Sequence, residues 1–555
     1  MISNGEVSDA LSLISKLMDL HGENSFRAKS YSIAAFQVDK LQTPVANMQD
    51  EELFSQKGIG ESVGKKIIEL LTTGKIETLE ELVKKTPEGI FEMLKVKGLG
   101  PKKIAILWSQ LGIENLGELE YAANENRLVL YKGFGAKTQE SILKNIAFIK
   151  KSAGWRLWAT SNDLAQQLIQ HCRQNLKKEQ FELTGKLKRQ EDTIDKIEIV
   201  TTSSAEQLEP IFSDFHNVNI DNSSGNFIVE TDGFLPIHFY FSSAENFGTT
   251  VFVNSCTEDF LKAFQKKYKL PSVTTEEEIW RMNKLPPIPS CLRHDVDVLT
   301  KPQSIPQLIQ NQDIKGLIHC HSSWSDGAKT IEEMAQACIN KGWEYMVISD
   351  HSQSAFYAQG LTVGRLQVQF REIDMLNQKL APFKIFKSIE SDILNDGSLD
   401  YENDILEQFD LVIASVHSNL KMNEEKAMER LLMAIRNPFT TILGHPTGRL
   451  LLSREGYPLN FEKIIEACRE NNVVIEINAN PRRLDLDWRW IQTAVQNKVL
   501  LSVNPDAHSI EGIDDTRFGV IAAQKGKLES KNNLSSFSLK EFEEFLVKNR
   551  TSKNR

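Results

Sequence analysis

GLIHCHS, residues 316–322, sends an apolar run straight into His319 and His321. Residues i and i+2 of a strand share a face, so both imidazoles point the same way. Six runs of the same kind follow: YMVISDHS (345–352), FKIFKSIES (383–391), DLVIASVHS (410–418), TTILGHPTG (440–448), NVVIEINAN (472–480) and LLSVNPDAH (500–508). Amphipathic helical stretches separate them, and strands that alternate with helices build a parallel α/β sheet. The pattern predicts a βα barrel or a doubly wound sheet from Gly316 to about residue 515.

Six of the seven runs end in His, Asp or Glu. In βα barrels the strand C-termini open on one face, where active sites lie. The chain has 11 histidines, and six of them, from His319 to His508, sit at strand ends with none in an intervening helix. A lone histidine is ordinarily structural or exposed. Six so placed, joined by Asp326, Glu390 and Asp506, predict a metal centre held by His319, His321, Asp326, His351, Glu390, His417, His445, Asp506 and His508. Mixed imidazole and carboxylate ligands suit Zn, Mn or Fe. Arg449, in HPTGR, is a candidate grip on a substrate phosphate, with a salt bridge at the barrel rim as the alternative. Asp350 beside His351 and Asp392 after Glu390 are candidates to orient ligands, and Asn480 is a further one.

Upstream the texture changes. KGIGESVGKKI (57–67), KGLGPKKIAIL (97–107) and KGFGAKTQESIL (132–143) form a near-repeat of Lys-Gly-apolar-Gly before a basic helical stretch. The glycines, Gly58 and Gly60, Gly98 and Gly100, Gly133 and Gly135, permit a tight turn and close backbone approach. The helix that follows offers free N–H groups and a positive dipole end to a phosphate. Lys65 and Lys66, Lys102 and Lys103, and Lys137 add charge. One copy is equally a plain glycine-capped turn; three copies predict helix-hairpin-helix motifs that grip a DNA backbone without reading sequence.

At 555 residues the chain is too long for one core, and its bulk composition is that of a globular protein. The six cysteines are scattered without a CxxC pair, which fits free thiols in a reducing cytoplasm. No apolar run approaches a membrane span, and the N-terminus reads as an amphipathic helix rather than a secretory signal. The net charge of −10 argues mildly against a whole-surface nucleic-acid binder but leaves room for local basic patches. The expected divisions are 1–150, helical and DNA-binding; 151–292, mixed helix and short strands; 293–315, a proline-bearing linker; and 316–555, the barrel with a last helix.

HCHSSWSDG, ISDHS, IESDIL, ASVHS, LGHPTGR, NANP and NPDAHS resemble the motifs of the polymerase and histidinol phosphatase (PHP) domain. That resemblance implies a distorted seven-stranded βα barrel with two to three divalent metals on the nine residues named above. The whole chain is similar to bacterial family X DNA polymerases: NSFRAKSYSIAAF (24–36) looks like their opening helices and TTEEEIWRMNKLPPIPSCLR (274–293) like the end of their thumb. It implies a helix-hairpin-helix region, a nucleotidyltransferase-like α+β palm and a PHP barrel. Lys66 aligns with the family's Schiff-base lyase lysine, with a phosphate-contacting or solvated lysine as the alternative.

The palm departs from that family. Its pattern, roughly G-S-x-R-R-G-x-E-T-x-G-D-apolar-D, is here GKLKRQEDTIDKIEIV from Gly185. Lys186 falls at the triphosphate-binding serine, Lys196 and Glu198 at the two metal-binding aspartates, and His238 at the third. A lysine puts positive charge where magnesium belongs, and two-metal phosphoryl transfer needs clustered oxygen ligands. Asp192 and Asp195 do not rescue the site, because i, i+3 residues face opposite sides of a strand. The expectation is a monomeric, nucleoid-associated DNA repair enzyme. It works on gapped, nicked or 3′-ended duplex as a metal-dependent 3′–5′ exonuclease, with abasic-site or 3′-phosphate cleavage as related activities, and its polymerase is lost or weak. The alternatives are an active gap-filling polymerase with proofreading, a small-molecule phosphatase, and a DNA-binding scaffold.

Overall fold

The computed structural model describes residues 2–41, 43–124, 128, 131, 133–152, 154–213, 218–221, 227–231, 235–452 and 454–553. The chain forms two compact units, residues 1–153 and 154–555.

The first unit is built of helices. α1 (Asn4–Leu20) and α2 (Ser25–Lys40) bury Val7, Leu11, Ile14 and Met18 on one and Ala28, Tyr31, Ala35 and Val38 on the other. A capping box starts α1: Glu6 N–H donates to the Ser3 hydroxyl, and Ser3 N–H donates to the Glu6 carboxylate at 2.7 Å. Further on, α3 (Glu61–Thr73), α4 (Pro101–Leu111) and α5 (Ala136–Ser152) each begin directly after one of the repeated glycine pairs.

The second unit opens on a five-stranded mixed sheet. Its parts are β1 (Phe181–Leu183), a short helix α6 (Gly185–Lys188), β2 (Ile197–Thr201), β3 (Val218–Asp221), β4 (Phe227–Thr231) and β5 (Ile237–Phe241), in the order β1-β2-β5-β4-β3. β2 and β5 run parallel with Glu198 opposite His238, and the other pairs are antiparallel. Residues 252–308 gather Phe252, Phe260, Phe264, Ile279 and Trp280 into a core that also takes in Val298, Leu299 and Leu308. The stretch 293–315 is therefore laid against its neighbours, with Arg293 buried and bonded to Glu276 at 2.5 Å.

Seven strands then follow: β6 (Gly316–Cys320), β7 (Tyr345–Ile348), β8 (Lys384–Asp392), β9 (Leu411–Ser415), β10 (Thr440–Leu443), β11 (Val474–Asn478) and β12 (Leu501–Asn504). They form one parallel sheet in sequence order. A parallel bridge between Cys320 and Ala507 brings the first strand to the end of the last, so the barrel is nearly closed. Ile318, Val347, Leu411, Ile413, Ile442 and Val474 fill the interior, and Phe542 and Leu546 of the final helix α7 (Leu539–Ser552) plug its base. Alternate residues such as Met346, Val412, Leu443, Ile475 and Ile477 face the outer helices. The seven runs read from the sequence are these seven strands, and one face collects their C-terminal ends.

Candidate functional site

At that face lies Glu390, 1% exposed, with imidazoles around it. Its Oε1 is 3.2 Å from His319 Nε2, 3.1 Å from His417 Nε2 and 3.0 Å from His445 Nε2. Its Oε2 is 3.0 Å from His351 Nδ1 and 3.6 Å from His321 Nε2. Three overlapping groups hold their ligand atoms within 4.8 Å of one another: His321, Asp326, His351 and His508; His319, His321 and Asp506; His351, Glu390 and His417. Eight of the nine residues expected from the sequence fall in these groups, and His445 touches them through Glu390.

The arrangement fits metal ions. Two ligands on one ion at roughly 2.0–2.2 Å each stand about 3 Å apart, the spacing found around Glu390. His319 Nε2, His321 Nδ1 and Glu390 Oε2 are buried without a hydrogen-bond partner among the described residues, and such groups are costly to leave unmet. His319, His445 and Asp506 have positive φ of 64°, 21° and 54°, a strain that concentrates where function demands it. Burial and the neighbouring His508 and His351 push His321 down to about 3. Burial works against charge on Asp326, yet His508, His321 and His351 hold it at about 2. Burial also opposes His417, but Glu390 and Asp392 raise it to about 10.

A supporting shell orients these side chains. Asp392 Oδ1 is 2.5 Å from His417 Nδ1, which directs Nε2 at Glu390. Glu476, not singled out in the sequence, does the same for His319 at 2.6 Å and accepts the His445 N–H at 2.7 Å. It lies on β11 between Ile475 and Ile477; only its parity with Asn478, on the face turned inward, distinguishes it from a core position. Asn480 serves its own turn, its side-chain oxygen accepting the Arg482 N–H at 3.0 Å.

One sequence expectation needs correction. Arg449 does not face a substrate: it donates through Nε to Arg483 O at 2.9 Å and through Nη1 to Asp487 at 2.5 Å, with Nη2 on Leu484 O. Its remaining neighbour is Asp192 at 3.7 Å, so its charge is consumed inside the protein. Asp350 meets the loop of a different candidate ligand. Its carboxylate accepts from Ser322 N–H at 2.8 Å, the Ser322 hydroxyl at 2.7 Å, the Ser325 hydroxyl at 2.5 Å and Gln369 at 2.7 Å. It fixes the loop that carries Asp326.

The three hairpins share one geometry. Gly58, Gly98 and Gly133 have φ of 85°, 84° and 94°. Ile59, Leu99 and Phe134 between the glycines are buried. Each apolar residue donates its N–H three residues back, to Gln56, Val96 and Tyr131. Gly60 and Gly100 cap α3 and α4 with φ of −77° and −74°. A Cβ on Gly60, Gly100 or Gly135 would meet nothing within 4 Å. Nothing inside the unit requires glycine there, whereas an approaching backbone would. Lys66 is not free: its Nζ is 2.6 Å from Glu69. Lys65 pairs with Glu61 at 2.6 Å and Lys102 lies 3.7 Å from Asp19. Lys132, which opens the third repeat, lies outside the described residues.

Comparison with known proteins agrees with this layout. Family models for a helix-hairpin-helix domain, a SAM-like helix-hairpin-helix tandem and a PHP domain match residues 2–76, 90–147 and 318–480. The DNA polymerase/3'-5' exonuclease PolX of Bacillus subtilis (strain 168) is 36% identical over 563 residues, covering 97% of this chain and 98% of that protein. This chain belongs to the bacterial family X DNA polymerases. A probable phosphatase of Caldanaerobacter subterraneus subsp. tengcongensis is 30% identical over 165 residues, covering 29% of this chain and 60% of that protein.

Within this family X chain the palm positions are filled by an internal charge network. Lys196 Nζ is 2.8 Å from Glu198 Oε1, which also accepts the Tyr240 hydroxyl at 2.8 Å. His238 lies beside Glu198 on β5. Lys186 Nζ bonds Asp195 at 2.6 Å and lies over the Trp155 ring at 4.1 Å. A Cβ on Gly185, whose φ is 63°, would sit 1.7 Å from Glu198 Oε2. The Glu198 carboxylate thus covers this turn.

Proposed function

We propose that this family X protein is a DNA repair enzyme that acts mainly as a metal-dependent 3′–5′ exonuclease and phosphoesterase, with its polymerase site silent. The observation that carries the reading is the contrast between two centres: carboxylates and imidazoles cluster around Glu390, while Lys196 is locked onto Glu198 in the palm. The nine residues His319, His321, Asp326, His351, Glu390, His417, His445, Asp506 and His508 would hold two to three divalent ions, of Mn, Zn or Fe type. Ions bound there supply a water of lowered pKa and stabilise charge on the phosphoryl oxygens. Asp392 and Glu476 hold His417 and His319 with Nε2 turned to the centre. Asp350 keeps the Asp326 loop in place. The glycine pairs 58/60, 98/100 and 133/135 grip the backbone of a gapped, nicked or 3′-ended duplex, with Lys65, Lys66, Lys102, Lys103 and Lys137 adding charge.

The palm pairs its acids with lysines, Lys196 on Glu198 and Lys186 on Asp195, where magnesium would need clustered oxygens. Burial favours a neutral Lys196, but its bond to Glu198 outweighs that and keeps its pKa above the usual value. The site thus carries its own cation.

The test is one gapped substrate in two assays. His321→Ala and His351→Ala abolish cleavage while DNA affinity stays near wild type, and the unmodified chain gives no template-directed extension with Mg or Mn. Cleavage retained in both variants would overturn the nuclease assignment, and robust nucleotide incorporation would overturn the silent palm. Hydrolysis of histidinol phosphate in preference to 3′-recessed DNA would favour a metabolite phosphatase instead.

A further inference from the structure

With Arg449 consumed internally, the mouth of the metal site has two other arginines, on the loops that follow β10 and β11. Arg483 is 20% exposed, and its guanidinium makes no hydrogen bond among the described residues. Its one charged contact is Asp506 Oδ2 at 3.8 Å, beyond hydrogen-bonding distance. Its backbone, by contrast, is fixed: its N–H donates to Asn480 O at 2.7 Å and its carbonyl accepts from Arg449 Nε at 2.9 Å. Arg454 is tied to the turn after His445. Its Nε and Nη2 donate to Gly448 O at 3.1 and 2.6 Å, and Gly448 N–H donates to His445 O at 3.0 Å. Among the described residues no carboxylate pairs with Arg454. Burial first, and then the Arg483 charge, lower its pKa, so the two cations lie within each other's field.

Other largely buried arginines of this unit are spent on protein partners. Arg293 bonds Glu276, and Arg430 donates to the carbonyls of Ile393, Leu394 and Ser418. The Arg454–Arg483 pair lacks such an answer and sits beside Asp506 and His445. A planar guanidinium matches two phosphate oxygens at once, and a dianion between two such groups would relieve their repulsion. We infer that Arg483 and Arg454 form a clamp for the phosphate group of the substrate, seated against the His319–His321–Asp506 end of the metal cluster. The inference rests on reading the barrel as a phosphoester hydrolase. Arg449 is then a positioning residue, since its bonds to the carbonyls of Arg483 and Leu484 aim the clamp.

Calorimetric titration of the full-length, metal-loaded protein with inorganic phosphate and with thymidine 5′-monophosphate tests this. Arg483→Gln and Arg454→Gln should each weaken both ligands at least tenfold, with metal content and melting temperature unchanged. For a 3′-ended oligonucleotide, KM should rise by more than kcat falls. Arg483→Lys, which keeps charge but loses the planar fork, should fall between wild type and Arg483→Gln. Wild-type phosphate affinity in both Gln variants would overturn the clamp. So would loss of metal from Arg483→Gln together with unchanged phosphate affinity in Arg454→Gln, because Arg483 would then serve only to hold Asp506. If phosphate binding depends on these arginines but 3′-ended DNA is not cleaved, the clamp stands and the DNA assignment falls.

Discussion

Glu476 is fully buried in the barrel and answers four donors at once. His319 Nδ1 and Asn504 Nδ2 meet its Oε1 at 2.6 and 2.9 Å, and His445 N–H and Asn478 Nδ2 meet its Oε2 at 2.7 and 3.4 Å. One carboxylate therefore sets the direction of one histidine ring and the backbone of another, both 1% exposed or less. Glu476→Gln keeps the shape but turns an acceptor into a donor that faces N–H groups. Loss of such a supporting partner ordinarily weakens metal binding about 10- to 100-fold. The expected outcome is a fall of that size in metal affinity, read by competition with a chelating dye, and a matching fall in nuclease kcat/KM. Unchanged affinity would show that His319 is held by packing alone. At this scale the sequence was partly readable. Ligands at strand ends announce themselves, because a polar residue after an apolar run has no packing reason to be there. Glu476 sits mid-strand between isoleucines, where single-residue chemistry looks like an error in a core. Arg449 misled for the opposite reason: a cation next to a strand-end histidine looks like a substrate grip, and only the fold shows Asp487 and Asp192 waiting for it.

Repeats carry more information than single motifs, and the elements confirm why. Three glycine pairs with the same spacing produce three turns of the same φ, each with a buried apolar residue between its glycines. The first glycine of each pair is dictated by its positive φ. The second has ordinary φ and open space around its missing side chain among the described residues, so its reason is either the helix N-cap it forms or a partner that approaches there. Gly60→Ser and Gly100→Ser separate the two explanations. Serine is at least as good as glycine at a helix N-cap, so thermal stability should hold within about 0.5 kcal/mol. An added side chain would push a phosphate away from the helix N-terminus, so DNA affinity by fluorescence anisotropy should fall several-fold, and further in the double variant. Stability loss with unchanged affinity would make these glycines structural. In the five-stranded sheet, β2 and β5 place Glu198 opposite His238, and no group of potential metal ligands is found there among the described residues.

At the scale of the whole second unit, the five-stranded sheet folds around the Lys196–Glu198 pair and meets the barrel along a packed seam. Trp158 and Ala159 pack with Leu484, Phe518 and Ala522. Lys525, with no exposed side-chain surface, reaches Glu191 at 3.0 Å. Sequence alone does not bring residues 191 and 525 together, since pairing across that separation depends on the finished fold. The barrel's own stability should depend on its ions. A ligand that binds only the folded state at 100 times its Kd adds about 2.7 kcal/mol, so chelation should lower the melting temperature of wild type but not of a His321→Ala–His351→Ala double variant. DNA binding should persist in both. The seam makes a separate demand. Burial tends to raise the Asp192 carboxyl, and Lys525 and Arg449 oppose that. Arg449→Ala would take from Asp192 and Asp487, two largely buried acids, their shared cation, leaving Arg489 on Asp487 at 2.9 Å and the Lys525 charge acting on Asp192. Removing one partner of such a buried pair costs about 3–5 kcal/mol. Calorimetry should show a clearly lower melting temperature in Arg449→Ala even with metal saturating, and Arg449→Lys, which restores charge without the fork, should recover only part of it. A melting temperature equal to wild type would mean that the apolar seam and the Lys525–Glu191 pair suffice to join palm and barrel. A selective loss of phosphate affinity without loss of stability would mean that Arg449 serves the phosphate site, by contact or by aiming Arg483, rather than the seam.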